Sequence, residues 1–498
     1  MEITRREMLK LSLLGSAALL LPLERAARTA ITRPLRQLPR PFQAEFALPQ
    51  VLQPVRRTAT TDFYRVTARQ AEADILPGLR TPIWGYNGLF PGPTIKARRG
   101  RKVVVNHANR LPVSTSVHTH GAYVDGDSDG HPNDLIQPGK SKTYYFGNDQ
   151  TARTQWYHDH AMHTTASSVY KGLAGLYLIE DEFEDDLPLP KDEYDVPLVI
   201  QDRLFNSDGS FDYSEEGKAS SNGVYGNVVL VNGKPWPRMA VSARKYRFRI
   251  LNGSNARAYD LALSTGEPFA VIATEGGMMS EPVLVRSLPI SPAERYEVIV
   301  DFSKYPVGTK VVLKNRRRRE KKGAENVMRF DVVRKARDDS LLPAVLRPPE
   351  EQIDPTHLPV ELSEVERTRE FVFKRQNGYW SINGKTWDGN RIDEHCREGQ
   401  AEVWELKNNG GGWIHPVHIH LLDFKIIERD GRPPAAYEAG WKETVFLDEN
   451  QSAKVLLKWP RVPEGPKPGR YVRRYPFHCH VVEHEDHDMM LQFQVAAA

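Results

Sequence analysis

The sequence predicts an all-β protein built from three consecutive Greek-key β-sandwich or barrel domains. Three observations carry that expectation. From Asp62 onward, short β-branched and aromatic runs (DFYRV, RKVVVNHA, KTYYFG, GLYLIED) are separated by Gly, Pro and Asn, the pattern of short strands and tight turns. Helical periodicity is weak beyond the N-terminal region. An Asn-Gly turn recurs at Asn87 (YNGLFPGP), Asn232 (VNGKPWP) and Asn383 (INGKTWD), at spacings of 232 − 87 = 145 and 383 − 232 = 151 residues. Each spacing is one domain length, and 498 residues leave room for about three such units.

Taken in order, residues 1–30 read as a signal peptide and lead-in. Paired arginines, Arg5 and Arg6, precede an apolar run at 11–21 that is too short to span a bilayer comfortably. The twin arginines point to the Tat route. The mature protein is therefore expected in the periplasm, at the cell surface or outside the cell, without a transmembrane anchor. Residues 29–54, rich in Pro and Arg, read as an extended lead-in.

The three units are expected at 55–182, 193–335 and 369–498. Behind each Asn-Gly turn comes a similar strand and turn: RKVVVNHAN, KYRFRILNG and AEVWELKNN. A second asparagine falls at Asn106, Asn252 and Asn408, which is 19, 20 and 25 residues further on (106 − 87, 252 − 232, 408 − 383). Two matches in register predict homologous repeats. Segments 183–192 and 336–368, full of Glu, Asp, Pro and Arg, read as linkers.

Composition narrows the function. A net charge of +4 is too small to imply nucleic acid. The one dense basic cluster, 316–319 with Lys321 and Lys322, is expected to be a solvated loop, with attraction of anions as the alternative. Only two cysteines occur, Cys396 and Cys479. If Cys479 binds a metal, Cys396 has no partner and the cores alone hold the fold.

The chemistry concentrates at 478–490, HCHVVEHEDHDMM. Cys479 sits between His478 and His480, with His484 five residues later and Met489 ten later. In an extended strand the thiol and the flanking imidazoles point to opposite faces. One strand can thus serve two metal sites, and Cys, His and Met are the ligands of a copper electron-transfer centre. Three more clusters join it: His118 and His120 (SVHTHG), His158 and His160 (WYHDHAMH), and His415, His418 and His420 (HPVHIH). Together the four hold ten of the sixteen histidines. Zinc is the alternative metal, but no HExxH or CxxC occurs. The second unit carries Tyr259 to Leu263 where the others carry H-x-H, so it reads as a spacer.

These motifs resemble those of the multicopper oxidases with three cupredoxin-like domains, in particular the bilirubin oxidases and bacterial spore-coat laccases. The resemblance runs from about residue 60 to the end. It implies four copper ions. A type 1 copper would be held by His415, Cys479 and His484 with Met489 axial. His118 and His418 would hold a type 2 copper, and His120, His158, His160, His420, His478 and His480 a type 3 pair. It further implies an enzyme that oxidises phenols, aromatic amines or bilirubin-like molecules one electron at a time and reduces O2 to water; separately, a monomer is expected. The alternatives are a metallo-oxidase of Cu(I), Fe(II) or Mn(II) and, more distantly, a copper-free cell-envelope scaffold.

Reduction of O2 consumes protons, so carboxylates are expected beside the cluster. Glu485, next to His484, and Asp129, nine residues after His120, are the candidates; a solvated acid and a turn-forming Asp are their plain alternatives. Asp125 and Asp127 are weaker relay candidates, because Asp-Gly and Asp-Ser are common in turns. Asp159 either orients an imidazole or points away from it. Trp413, two residues before His415, reads either as a ring facing the reductant or as core packing. His163, His487 and Met490 carry no ligand role.

Overall fold

The computed structural model describes residues 35, 37–213, 222–317, 323–466, 469 and 471–498. The expected signal at 1–30 and residues 318–322 of the basic cluster lie outside them. Six sheets form three successive pairs. A five-stranded and a four-stranded sheet lie between Arg56 and Glu180, a seven- and a five-stranded sheet between Asp195 and Lys335, and two five-stranded sheets between Val365 and Ala496. The α-helices among the described residues are single turns or little more: Thr165–Lys171, Glu182–Asp186 and Val482–Asp486. No helix among them is long and apolar enough to cross a membrane.

Alternation builds each sandwich. In the strand Thr61–Ala73, Tyr64, Val66 and Ala68 turn inward while Arg65 is exposed. Each pair of sheets closes on its own aromatic and aliphatic core. Tyr144 and Tyr177 fill the first, Phe248, Phe302 and Phe330 the second, and Trp404, Phe477 and Phe493 the third. Each such side chain contributes roughly 1.5–3 kcal/mol when fully buried. Cys396 and Cys479 are both buried and free, so no disulfide supplements these cores.

The repeat extends to its hydrogen bonds. Asn87, Asn232 and Asn383 all adopt positive φ (56°, 49° and 53°), each followed by a glycine that does the same. This is the backbone that Asn-Gly accommodates with least strain. Each asparagine accepts a hydrogen bond at Oδ1 from an earlier strand: Thr67 N at 2.8 Å, Val199 N at 2.8 Å and Val372 N at 2.7 Å. The second asparagine corrects the sequence reading. Asn252 and Asn408 donate through Nδ2 to loop carbonyls and accept from a backbone N–H two residues on. In the first unit Asn109 does this, bonding Val113 O, Ile136 O and Leu111 N, whereas Asn106 only reaches Thr143. The true spacing is 109 − 87 = 22 residues, between the other two.

The segment expected as a linker at 336–368 is pinned down. Arg347 Nη2 donates to both oxygens of Asp181 at 2.6 and 2.7 Å, and His357 Nε2 lies 2.7 Å from Asp423. Asp354 and Asp423 both grip Arg153, and all of these groups are buried. A strand of the first unit, the connector and the third unit thereby share one buried ionic cluster. Of the basic cluster, Arg317 pairs with Asp448 at 2.8 Å rather than standing free in solvent.

Candidate metal centres

The strand Arg474–Cys479 delivers Cys479 into the third core and His478 to the other face, paired in register with His418 on the strand His415–Ile419. On the thiol side, His415 Nδ1 lies 3.3 Å and His484 Nδ1 3.5 Å from Sγ. His484 arrives on the short helix Val482–Asp486, and the Val481 N–H points at the sulfur from 3.4 Å. Met489 is fully buried in the same core, and its carbonyl accepts from Cys479 N at 3.1 Å.

Burial dictates the protonation of these groups. It drives the pKa of His415 down to about 3 and that of His484 well below the ordinary value, so both imidazoles are neutral. The same burial pushes the Cys479 thiol well up. The Cys479 sulfur, once its proton is displaced, and the lone pairs of His415 and His484 would hold a soft cation, so these residues fit copper.

On the other side eight histidines converge. His118 and His158 are register partners on the strands Val117–His120 and Arg153–Asp159, which brings the first unit's two H-x-H pairs together. Three ligand atoms lie close enough to share one ion in each of two separate triads, His120–His158–His480 and His160–His420–His478. His118 and His418 face each other, Nε2 to Nε2, at 3.4 Å. His478 Nε2 stands 3.2 Å from both His160 Nε2 and His420 Nε2.

These short nitrogen–nitrogen approaches are the test of fit. Nδ1 of His118, His158, His418 and His478 each meets a backbone carbonyl, of Asp129, Asp159, Glu443 and Cys479 respectively. A carbonyl only accepts, so Nδ1 carries the proton and Nε2 presents a lone pair. Lone pairs therefore confront one another, and Nε2 of His120, His158 and His480 is buried without any partner. Cations between them relieve that repulsion, and the residues present fit a multinuclear metal group.

Carboxylates ring this cluster. Asp129 Oδ2 holds His420 Nδ1 at 2.8 Å while its own carbonyl holds His118 at 2.6 Å. Glu485 is buried, with Oε2 at 3.3 Å from His478 Nδ1 and Oε1 at 3.7 Å from His160 Nε2. The side chain of Asp159 points away and accepts from Ser116 N at 2.9 Å, and burial lifts its pKa to about 8. Its carbonyl, not its carboxylate, orients His158. Asp125 caps a turn, as expected.

Two groups escaped the sequence reading. Glu443 lies 2.7 Å from His120 Nδ1 and also holds His418 through its carbonyl. A lone acid in a strand-like stretch gives no pattern to find it by. Trp380 stacks on His484 with ring centroids 3.7 Å apart, and Trp413, half-buried, packs edge-on against Trp380 at 5.1 Å. The H-x-H neighbourhood flagged Trp413 but nothing flagged Trp380, which sits 35 positions before His415 (415 − 380 = 35).

Three sandwiches of paired β-sheets, with one cysteine and two histidines gathered in a pocket one residue step from a histidine cluster, define a copper-dependent redox protein with cupredoxin-like domains. Family models described as multicopper oxidase match residues 67–184, 153–331 and 357–498. A bilirubin oxidase from Albifimbria verrucaria is 37% identical over 484 residues, covering 91% of this chain and 81% of that one. A laccase from Bacillus subtilis is 34% identical, covering 90% and 97%. Among solved structures, a laccase from Pediococcus acidilactici superposes with a TM-score of 0.82 at 31% identity, covering 93% and 96%. The chain belongs to the multicopper oxidase family. It is an oxidoreductase that uses O2 as electron acceptor.

Proposed function

We propose that this chain is a four-copper oxidase of phenols, aromatic amines or bilirubin-like molecules, exported by the Tat route and acting as a monomer. His415, Cys479, His484 and Met489 would hold the type 1 copper, His118 and His418 the type 2 copper, and the two histidine triads the type 3 pair. The coppers supply one-electron acceptance from the reductant and four-electron delivery to O2. The observation that carries the reading is the single residue step between the sites: the Cys479 thiol faces one pocket while His478 and His480 face the other. Every one of the twelve positions holds the residue type required, which speaks against a copper-free scaffold.

The protein's own groups have three tasks. Trp413 and Trp380 form an aromatic path from the half-exposed Trp413 ring to His484. Asp129 fixes the orientation of His118 and His420 and is available to pass protons. Glu485, whose oxygens have no hydrogen-bond partner, is placed to give a proton at Oε2 or Oε1. The buried walls keep a bulky reductant away from the oxygen chemistry.

A second reading, oxidation of Cu(I), Fe(II) or Mn(II), draws on one feature. A cavity of ≈ 520 Å³ beside Trp380 is lined by Glu483, Asp486, His163 and His487 as well as Tyr379. Acids and imidazoles suit a cationic reductant, whereas the aromatic wall suits an organic one. O2 uptake by copper-loaded protein on phenols and on the three metal ions separates the readings. Strong phenol turnover with a blue, EPR-active thiolate copper is expected. A missing blue band rejects the copper reading, and metal-ion turnover with negligible phenol turnover promotes the second.

A further inference from the structure

The middle unit has no H-x-H pair, yet it reaches the histidine cluster. Arg295 opens the strand Arg295–Asp301 of that unit and is fully buried. Its guanidinium forks onto Glu443 of the third unit, with Nη2 at 2.8 Å from Oε2 and Nη1 on Oε1. Its Nε donates to Thr154 O of the first unit at 2.9 Å, and Nη1 to Ala293 O at 3.0 Å. Glu443 Oε1 in turn lies 2.7 Å from Nδ1 of His120, again from the first unit. Three units thus meet in one fully buried chain of contacts, Arg295 to Glu443 to His120.

Two groups contact His120 Nδ1. Glu443 Oε1, which only accepts, is 2.7 Å away; Arg295 Nη1, which only donates, is 3.2 Å away and already serves Glu443 Oε1 and Ala293 O, so a proton on Nδ1 matches the shorter contact. His120 Nε2 then presents its lone pair to the triad with His158 and His480. The neighbouring Gly121 (φ +85°) makes room for this, because a Cβ there would collide with Glu443 Oε2. Lys442, one residue earlier than Glu443, repeats the interface with reversed charges. It pairs with Glu275 at 2.8 Å and Glu294 at 3.0 Å, both from the middle unit, and none of these three groups touches a cluster histidine.

We propose that Arg295 is a positioning residue for the histidine cluster. It locks the Glu443 carboxylate in the orientation that fixes the His120 ring, so the unit without ligands helps build the metal site. A bidentate guanidinium sets the carboxylate plane as well as its charge, which an ammonium cannot do. Without it, a buried carboxylate is left uncompensated and its hold on the imidazole is lost. The inference rests on the copper reading above.

The test compares Arg295→Gln, Arg295→Lys and the Arg295→Gln/Glu443→Gln double variant with Glu275→Gln, which weakens the same interface away from the cluster. Copper per chain after challenge with a chelator, the blue absorption and the melting temperature of the copper-free protein are measured on each. The expected result is about 10–100-fold weaker copper retention in Arg295→Gln and in the double variant, with the blue absorption intact. Arg295→Lys should fall between them and the wild type. The double variant removes both charges, so it reports on positioning even if Arg295→Gln fails to fold. Full copper retention in the double variant overturns the proposal, as does equal copper loss in Glu275→Gln at an equal drop in melting temperature. A wild-type chain that takes up no copper refutes the copper reading instead.

Discussion

The two candidate metal sites share one strand and differ in almost everything else. The Cys479 pocket takes its candidate ligands from a single unit, from residues between His415 and Met489, and its walls are Trp380, Phe373 and other members of the third core. No carboxylate is within hydrogen-bonding reach of Cys479, His415 or His484 among the described contacts. The histidine cluster takes ligands from the first and third units, and Asp129, Glu443 and Glu485 stand against its imidazoles. The contrast fits the division of work proposed for the two sites. A site that moves only electrons works best dry and apolar, where reorganisation is small. A site that must also move protons needs ionisable groups and fixed imidazole tautomers around it.

The sharpest way to break this division is to remove one site at a time. Cys479→Ser is expected to abolish both the blue absorption and oxidation of phenols, while copper analysis still finds the cluster filled. His480→Gln is expected to do the reverse: O2 uptake vanishes but the blue absorption remains. If either variant empties both sites, the sites are not separable and the division fails.

Glu485→Gln probes the proton side alone. Turnover should drop by about 10²-fold or more, the usual worth of a positioned acid or base, with copper content unchanged. An unaltered rate at every pH would remove Glu485 from the proton path.

Acid stability gives a third measure. His415, like the non-ligand His107, is buried with a pKa of about 3 against an ordinary 6.5. The folded state refuses a proton that the unfolded chain accepts, so stability is full above pH 6.5 and falls as the pH drops from there to about 3. Each such histidine contributes a slope of at most about 1.4 kcal/mol per pH unit in that window. Chemical unfolding of the copper-free protein between about pH 7 and pH 4 should show it, and His107→Phe should flatten the slope by about one group's share.

The smallest effect is expected at the surface of the electron pocket. Trp413→Ala removes one aromatic contact, about 0.5–1.5 kcal/mol, and should raise KM for an aromatic reductant roughly two- to tenfold with little change in the blue absorption. A larger fall in kcat than rise in KM would mean that Trp413 carries electrons rather than binding the reductant.

How far each site could be read from the chain alone follows the same division. The Cys479 pocket is local, and its spacing of Cys479, His484 and Met489 is set by one strand end, one helical turn and one tight turn. Period-2 alternation already places Cys479 opposite His478 and His480. The turns at Asn87, Asn232 and Asn383 were equally readable, because Asn-Gly answers to backbone sterics that no distant contact changes. The second repeat asparagine was misplaced by three residues, at Asn106 instead of Asn109. Two asparagines in one strand look alike until the loop carbonyls that one of them satisfies are in place.

Residue type and repetition were legible in the linear sequence: which histidines and which cysteine are candidates to meet a metal, and three repeated β units to carry them. Partnership was not. Arg295 and Glu443 are 148 residues apart, and Arg153 lies 201 residues from Asp354. No periodicity links such positions, because an ion pair across a domain interface is specified by how finished sandwiches dock rather than by the pitch of any strand. Only the tertiary structure decided that the linker is pinned by buried ion pairs at Arg347, Asp354 and His357, that Asp159 turns away while its carbonyl orients His158, and that the unit without ligands reaches His120.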